Sequence, residues 1–402
     1  MELQSYQQVM AYGFLGAFVM GAVAHKTNFC TMGAVSDWVN MGNKGRLWAW
    51  FTAIAVAILG TMAIQVFAGV SLDSTIPPYR TASFAWLRYL LGGALFGIGM
   101  TLAGGCGSKT LINIGGGSLK SVVVLLIAGV FAYLMTKTAF YATLFHGWVS
   151  ATTIDLTAYG MHSQSLPEML QPLLGIENAQ LLYWLMGSAL ALAILFFAFR
   201  DPGYRKNTNN FIGGAVVGLT IVAAWYTSGG SLGREALEAV EWLDQKPLGI
   251  GVQSYTFINP MGETLYYLTS PTKTLLITFG VASLLGVILG SLVYAVASGK
   301  FHIAWFKTRT DFIKHAVGAM LMGIGGVLAM GCTIGQGITG VSTLALGSFL
   351  ALAGIIFGAV LTMKVQYYQI AYDDEATFSG ALLSSLVDMH LLPDGMRKLE
   401  AP

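Results

Sequence analysis

Charged residues are scarce in this chain. Only 10% of its 402 residues are aspartate, glutamate, lysine or arginine, whereas 55% are hydrophobic, and the mean hydropathy is +0.66. Soluble globular domains carry about 25% charged residues, so this composition excludes a soluble protein and predicts a polytopic membrane protein embedded in a lipid bilayer. The formal net charge of +2 gives no reason to expect a nucleic-acid partner.

Cysteine is scarce as well. Cys30, Cys106 and Cys332 are the only three, and an odd count excludes a disulfide framework and predicts free thiols or at most one transient pair. No histidine clusters with them, so a soft-metal site is the weaker alternative, and we expect neither a metal nor a cofactor. The first ten residues, MELQSYQQVM, lack the basic region of a cleavable signal, and we expect the first apolar run to stay in the mature protein.

Two glycine-rich stretches of the chain repeat each other. GGALFGIGMTLAGGCGSK at 92–109 aligns without a gap with GAMLMGIGGVLAMGCTIG at 318–335, at a shift of 226 residues. The alignment pairs Cys106 with Cys332, and the same shift pairs Cys30 with Thr256. We therefore interpret the chain as a duplication in which every cysteine occupies a duplicated position.

Nine apolar runs have lengths near the roughly 20 residues that cross the hydrocarbon of a bilayer. Four runs belong to each repeat and one joins them, and an odd linker places the second repeat upside down in the membrane. The predicted fold is an all-α polytopic membrane protein with nine transmembrane helices, in two inverted repeats joined by a linker helix, with re-entrant helix-loop segments. The runs are 8–25, 48–69, 84–103, 119–136, 178–199, 210–227, 273–296, 315–331 and 344–363.

This assignment divides the chain into four parts. We predict a first repeat with an outer hairpin at 1–177, a linker transmembrane helix at 178–209, a second, inverted repeat at 210–364 and a cytoplasmic interfacial tail at 365–402. Most lysines and arginines fall in inside loops if the N-terminus lies outside, so we expect a periplasmic N-terminus and a cytoplasmic C-terminus.

Four segments between the runs are too apolar for ordinary loops and too glycine-rich for regular helices: 26–43, 104–118, 251–268 and 332–343. We interpret them as re-entrant. Irregular backbone at membrane depth is tolerated only where protein buries it or water reaches it. The four segments are therefore expected to meet around one central path.

The residues in these segments suit an anion. Amide N–H groups at the starts of short helices attract negative charge, and glycine lets a ligand approach the backbone. A thiol is a soft, polarizable contact that suits a ligand whose exposed atom is sulfur. We predict a path for a sulfur-bearing anion, lined by Cys30, Cys106 and Cys332, with no catalytic residue. The supporting positions are Asn28, Gly105, Gly107, Ser108, Thr256, Gly331, Thr333, Gly335 and Gln336.

Alternatives to the path remain at single positions. A lone cysteine in an apolar helix is more often a small buried hydrophobic residue, and glycines spaced by four favour close helix packing. His25, Lys26 and Asp37 are ionisable groups near membrane depth, which makes them functional candidates or a structural pair that caps the first re-entrant segment. The same choice stays open for Glu263.

Three motifs resemble a known family. NFCTMGAVSD at 28–37, LAGGCGSKTLINIGGGS at 102–118 and MGCTIGQGITG at 330–340 look like the cysteine signatures of the YeeE/YedE family of bacterial inner-membrane proteins, whose characterised member takes up thiosulfate. The resemblance covers about residues 10 to 365. Two features depart from the family pattern: the stretch 138–177 is long, and no carrier domain is fused to the C-terminus.

The resemblance implies an hourglass-shaped protein with a narrow central path. On that basis the thiols of Cys30, Cys106 and Cys332 relay thiosulfate by S–H···S contacts, for sulfur assimilation, and a small cytosolic protein resembling the sulfur carrier TusA is a partner. We expect a monomer with neutral thiols, because thiolates would repel a dianion. The alternatives are transport of another sulfur- or selenium-containing anion, a membrane sulfurtransferase with a cysteine nucleophile, and a scaffold without transport. No general base is evident beside any cysteine.

Overall fold

The protein is built almost entirely of α-helices. Its structure, a computed structural model, describes residues 4–175, 178–372 and 377–400. The helices in chain order are α1 (Ser5–Thr27), α2 (Thr31–Met41), α3 (Gly45–Phe67), α4 (Trp86–Leu102), α5 (Gly107–Gly115), α6 (Leu119–Lys137), α7 (Phe140–Leu144), α8 (His146–Ala151), α9 (Leu166–Leu174), α10 (Ala179–Arg200), α11 (Pro202–Arg205), α12 (Thr208–Gly229), α13 (Ser231–Glu241), α14 (Ile258–Leu268), α15 (Phe279–Ala297), α16 (Arg309–Leu328), α17 (Leu346–Tyr372) and α18 (Phe378–Asp388).

Within the described residues, nine helical stretches are long and apolar enough to cross a membrane: α1 joined with α2, then α3, then α4 joined with α5, and then α6, α10, α12, α15, α16 and α17. Each coincides with one predicted run, which confirms an all-α protein with nine candidate membrane spans. The bounds differ most at three helices. α16 begins at Arg309, six residues before the predicted start at 315, and the hydroxyl of Thr308 caps it by accepting a hydrogen bond from the backbone of Asp311 at 3.1 Å. α15 begins at Phe279 and not near residue 273, because the hydroxyl of Thr278 caps it by accepting a hydrogen bond from the backbone of Val281 at 3.1 Å. α17 continues to Tyr372, well past the predicted end at 363.

The four segments between the runs are more regular than predicted. Three of them contain the short helices α2, α5 and α14, and the fourth contains a π-helical segment, Gly335–Gly340. Short helices were part of the prediction, but the segments contain more helix than their glycine content led us to expect. Glycine weakens a helix by about 1 kcal/mol, but here it gives room for neighbours, since a Cβ at Gly335 would collide with the hydroxyl of Thr256. Their re-entrant placement in a membrane stays a prediction.

The remaining connections are short elements. The long stretch after α6 contains α7, α8, α9 and the strand β2 (Ile154–Asp155). This strand pairs antiparallel with β1 (Ser83–Phe84), which precedes α4, and the sequence did not indicate this small sheet. The predicted boundary between the first repeat and the linker helix falls after residue 177, which lies outside the described residues.

Helices α4 and α16 cross in close contact through equivalent glycines. A Cβ added to Gly92 would lie 2.5 Å from the backbone nitrogen of Ala329, and a Cβ added to Gly318 would lie 2.5 Å from the backbone nitrogen of Ala103. Gly92 and Gly318 are 226 residues apart, as are Ala103 and Ala329. Reciprocal contacts of this kind arise when a two-fold axis relates the two partners. They support the interpretation of the chain as a duplication.

The C-terminal tail packs against the end of α17. The carboxylate of Asp388, in α18, accepts hydrogen bonds from Tyr368 at 3.0 Å and from Arg397 at 2.6 Å, and Lys364 lies 3.5 Å away. Partial burial opposes ionisation of Asp388, but these partners outweigh it and lower the pKa of its carboxyl group. The described part of the tail is therefore fixed to the bundle by polar contacts that also support the extra turns of α17.

Candidate functional site

Each cysteine begins a short helical segment with the same backbone pattern. Cys30 and Cys106 are the residues directly before α2 and α5, and Cys332 lies three residues before the π-helical segment. In all three cases the carbonyl oxygen of the cysteine accepts a hydrogen bond, 2.7 to 2.9 Å long, from the fourth residue along the chain: Ala34, Thr110 and Gln336. The three thiols thus occupy helix starts, as the sequence suggested.

Helix capping does not explain why these residues are cysteines. The sulfur of Cys30 accepts a hydrogen bond from the backbone of Gly33 at 3.3 Å, and that of Cys332 accepts one from Gly335 at 3.5 Å. Sulfur is a weak acceptor, and serine, threonine, asparagine and aspartate cap helices better than other residues. A position selected only for capping would favour one of those residues. The thiol itself is therefore the property to be explained.

A left-handed residue precedes each cysteine by two positions. Asn28, Gly104 and Met330 have φ angles of 53°, 70° and 61°. Such a residue ends a helix and turns the chain back, and asparagine and glycine adopt it more readily than methionine does. Gly104 and Met330 are equivalent in the duplication, so both copies keep this turn although one uses a strained residue.

The structure brings the three cysteines together inside the bundle. Cys106 and Cys332 are completely buried, Cys30 is 8% exposed, and all three are free thiols. The thiol of Cys106 interacts with that of Cys30 on one side and faces the hydroxyl of Thr333 on the other. Cys332 is in turn an electrostatic neighbour of Cys106. Among the described residues, no group of three metal-ligating side chains is placed to hold a metal ion.

Thr256 extends this arrangement beyond Cys332. Its hydroxyl lies against Gly335, and the backbone N–H of the next residue, Phe257, approaches the sulfur of Cys332. The order is therefore Thr256, Cys332, Cys106 and Cys30, which we call the central row. Because the duplication pairs Thr256 with Cys30 and Cys332 with Cys106, the row is symmetric about its middle.

One cavity is lined by Thr256 at one end of the central row, and a second cavity lies near Cys30 at the other end. The larger cavity, of about 450 Å³, is lined by Thr256 and by the beginning of α15, including Thr278 and Phe279. Glu263, whose role the sequence left open, also lines it and accepts a hydrogen bond from Thr278. The smaller cavity, of about 400 Å³, is lined by Asn28 and the end of α1.

The two cavities open at opposite ends of the bundle. Helices α1 and α15 run parallel, since Gly13 packs against Phe279 and Gly21 packs against Val287. The larger cavity lies at the beginning of α15, whereas the smaller one lies at the end of α1. The central row therefore lies in the constriction between them.

Two buried polar atoms at the constriction have no hydrogen-bond partner within the described chain, apart from the contact of one of them, the hydroxyl of Thr333, with the thiol of Cys106. They are the hydroxyl oxygen of Thr333 and the side-chain oxygen of Gln336, whose amide nitrogen donates to the carbonyl of Ala329 at 2.5 Å. Buried polar atoms without partners are rare in proteins. Here they adjoin Cys332, where a passing ligand can satisfy them.

The structure contradicts the prediction that the backbone N–H groups of Gly105 and Gly331 are free to bind an anion. The backbone N–H of Gly105 donates to Met100 at 2.9 Å, and that of Gly331 donates to Gly326 at 2.8 Å. These bonds close the left-handed turns that end α4 and α16, so neither N–H is available to a ligand. Gly107 opens α5, and the hydroxyl of Ser108 lies 3.3 Å from the sulfur of Cys106, as expected of supporting groups beside the central row.

The sequence left two interpretations of His25, Lys26 and Asp37, as functional groups or as a structural pair. The structure shows a different arrangement of these residues near Cys30. His25 is hydrogen-bonded to Ser291 of α15 at 2.8 Å, and Lys26 is exposed, so neither pairs with Asp37. Asp37 instead pairs with Arg46, nine residues further along the chain. The structural pair at the first short helix is therefore Asp37 with Arg46.

Sequence reasoning missed two cations beside the central row. Arg46 and Lys109 are both electrostatic neighbours of the Cys30 thiol. Lys109 lies in the repeated motif, three residues after Cys106, and a lysine at the start of an apolar helix was the available signal. Arg46 carried no comparable signal, because it follows a polar loop in which basic residues are common.

The described part of the chain has nine long apolar helical stretches around a buried constriction, with a cavity toward each end of the bundle. This architecture is typical of a membrane transport protein. A sequence profile of the family described as Sulphur transport matches residues 26–361. The chain belongs to this family, which confirms the resemblance to YeeE/YedE proteins.

Curated relatives cover most of the chain. It is 25% identical over 358 residues to the thiosulfate transporter TsuA of Escherichia coli (strain K12), an alignment that includes 86% of this chain and 91% of the relative. It is 29% identical over 351 residues to the thiosulfate transporter TsuA of Spirochaeta thermophila, with 86% of this chain and 96% of the relative included.

Proposed function

We propose that the protein takes up thiosulfate across the bacterial inner membrane for sulfur assimilation, through the central row. The names of the two relatives support the substrate. The observation that carries the path is the symmetric row of one hydroxyl and three free thiols between two cavities at opposite ends of the bundle.

The physical argument concerns a dianion in a dry constriction. Removing an anion from water is strongly unfavourable unless hydrogen bonds replace its hydration. Neutral thiols supply S–H donors without adding negative charge, and sulfur against sulfur is a soft contact. Because neighbouring members of the central row interact, an anion can contact the next thiol before it leaves the previous one. A thiol is a weak hydrogen-bond donor, so each contact holds the anion weakly enough for it to pass to the next member of the row.

The placement in the membrane forms part of the proposal. Two inverted repeats, 1–177 and 210–364, flank the linker helix at 178–209, with a periplasmic N-terminus and a cytoplasmic C-terminus. The reciprocal contacts of α4 and α16 support the repeats. The larger cavity then faces the periplasm, and the smaller cavity faces the cytoplasm. A monomer suffices, because one chain contains both cavities, and a TusA-like carrier would receive the sulfur at the cytoplasmic face.

Uptake and sulfur transfer predict different fates for the two sulfur atoms of thiosulfate. A transporter moves the intact anion, whereas a sulfurtransferase with a cysteine nucleophile takes the outer sulfur and leaves sulfite behind. We expect thiosulfate labelled at the outer sulfur and thiosulfate labelled at the inner sulfur to enter cells that express this protein at equal initial rates. The Cys106→Ala variant serves as the control for uptake that does not depend on the central row.

Entry of the outer label alone, with labelled sulfite remaining outside in the other experiment, would replace the transport proposal by sulfurtransferase activity. A chain that only supports a cytosolic enzyme would admit neither label faster than cells with empty vector.

A further inference from the structure

We propose that Arg46 and Lys109 form a binding site for a small divalent anion at the Cys30 end of the central row. This inference rests on the proposed transport of thiosulfate and deepens it, because it assigns the residues that distinguish a dianion from a monoanion of the same shape.

Arg46 is held beside Cys30 by two contacts. Its Nε and Nη2 donate to the two carboxylate oxygens of Asp37, each at 2.5 Å. Its Nη1 points toward Gly33, whose backbone N–H donates to the sulfur of Cys30. A guanidinium group has five N–H donors in a rigid plane. Asp37 therefore fixes one edge of the plane and leaves the Nη1 donors near the thiol for a ligand.

Lys109 approaches Cys30 from the other short helical segment of the same repeat. It lies in the first turn of α5, and its Nζ donates to the side-chain oxygen of Asn28 at 3.0 Å. Asn28 is the left-handed residue two positions before Cys30 and lines the smaller cavity. An amide oxygen neutralises no charge, so the ammonium group keeps its full attraction for an anion.

Together the two cations flank the last thiol of the central row. Both cations are close enough to interact electrostatically with the thiol of Cys30. Arg46, Asp37 and Asn28 line the smaller cavity. Lys109 keeps its positive charge, and Arg46 keeps free Nη1 donors although Asp37 balances its charge. A dianion binds the ammonium group and these donors more strongly than a monoanion does, because both attractions grow with the charge of the ligand. In the empty site the carboxylate of Asp37 competes with the ligand for Arg46, which favours release into the smaller cavity.

Among the described residues that line the larger cavity, at the opposite end of the row, the charged side chains are one cation, Arg88, and one carboxylate, Glu263. Arg88 lines the larger cavity, but its guanidinium donates to the backbone carbonyls of Leu328 at 2.6 Å and Val327 at 3.2 Å. Thr256, which replaces a thiol at that end, is neutral. The charge arrangement is therefore asymmetric although the row is symmetric, and the anion is held at the Cys30 end.

The test compares two anions that differ in charge. Thiosulfate is a dianion, and methanethiosulfonate is a monoanion in which a methyl group replaces one oxygen. In proteoliposomes, Arg46→Gln and Lys109→Gln are each expected to raise the half-saturation concentration for thiosulfate about tenfold, the typical effect of one lost hydrogen bond to a charged group. Transport of methanethiosulfonate should change less than twofold. Lys26→Gln, which removes an exposed charge at the end of α1, is the matched control and should change neither.

Asp37→Asn separates binding from a structural role of the ion pair. It keeps Arg46 and removes its competitor, so we expect a lower half-saturation concentration and a lower maximal rate for thiosulfate. If the pair only stabilises the fold, Asp37→Asn and Arg46→Gln would instead weaken transport of both anions in parallel.

Equal losses for both anions in Arg46→Gln and Lys109→Gln would overturn the inference. Calorimetric titration of the detergent-purified variants with thiosulfate gives a second readout that requires no transport. If the parent protein transports no thiosulfate, the proposed function fails, but a tenfold loss of thiosulfate affinity in these two variants would still establish the dianion site. Unchanged affinity in both variants would refute it.

Discussion

Cys106→Ala is expected to lower the initial rate of thiosulfate uptake about ten- to a hundredfold. The variant removes the donor at a completely buried position in the constriction. A hydrogen bond to a charged group contributes about 1.5–3 kcal/mol, and about 1.4 kcal/mol on the barrier is tenfold in rate. Cys106→Ser keeps a donor in the same place and should retain more activity than alanine. It should remain below the parent, because its oxygen is harder and holds water more tightly.

The equivalent substitutions at Cys332 are expected to have the same order, because the duplication gives both thiols the same backbone setting. The measurement is uptake in cells with matched expression of each variant. Alanine also removes the sulfur that accepts a backbone hydrogen bond at the helix start, so thermal unfolding of each purified variant is needed as a control. Serine and alanine variants that are equally inactive would indicate a nucleophile, since a serine without an activating base is nearly inert. Variants as active as the parent would make these cysteines structural.

Gly92→Leu and Gly318→Leu are expected to destabilise the protein strongly and to a similar extent. A Cβ at either glycine would lie 2.5 Å from the backbone of the facing helix, closer than Cβ atoms in folded proteins approach other atoms. Neither backbone can move away without disturbing the crossing of α4 and α16. Overpacking in a well-packed core costs about 1–3 kcal/mol, and contact with backbone on both sides places these variants at or above the upper limit. The measurement is the midpoint of thermal unfolding in detergent.

Gly147→Leu is the matched control, because an added Cβ there meets no atom within 4 Å. Its unfolding midpoint should equal that of the parent. If Gly92→Leu destabilised the protein and Gly318→Leu did not, the two crossings would not be equivalent, and the two-fold relation between the repeats would be wrong.

The spans could be predicted from the sequence because length and hydropathy alone determine them. The same information could not predict the extra turns of α17, because Lys364 and the residues after it are held by the tail through Asp388 and Arg397. The small sheet was equally inaccessible. Two strands of two residues have no detectable alternation, and they pair only because the folded bundle brings β1 and β2 together.

The repeated motif was the signal for predicting that Cys106 and Cys332 lie close together, since equivalent positions near a two-fold axis are also near each other. Hydrogen bonding at the turns was not predictable to the same extent. We predicted that the backbone N–H of Gly105 is a free donor, but the left-handed Gly104 directs it back to the carbonyl of Met100. The sequence analysis considered His25 and Lys26 as partners of Asp37, but the pairing with Arg46 depends on how α2 packs against α3.

The central claim is that thiosulfate crosses between the thiols of this chain without another protein. Counterflow into proteoliposomes that contain only the purified chain tests it most directly. Vesicles loaded with unlabelled thiosulfate are expected to accumulate external labelled thiosulfate transiently. Two controls should show no accumulation: vesicles loaded with sulfate, and vesicles that contain a variant with alanine at Cys30, Cys106 and Cys332. Absence of counterflow in the parent, or equal counterflow in the triple variant, would contradict the account.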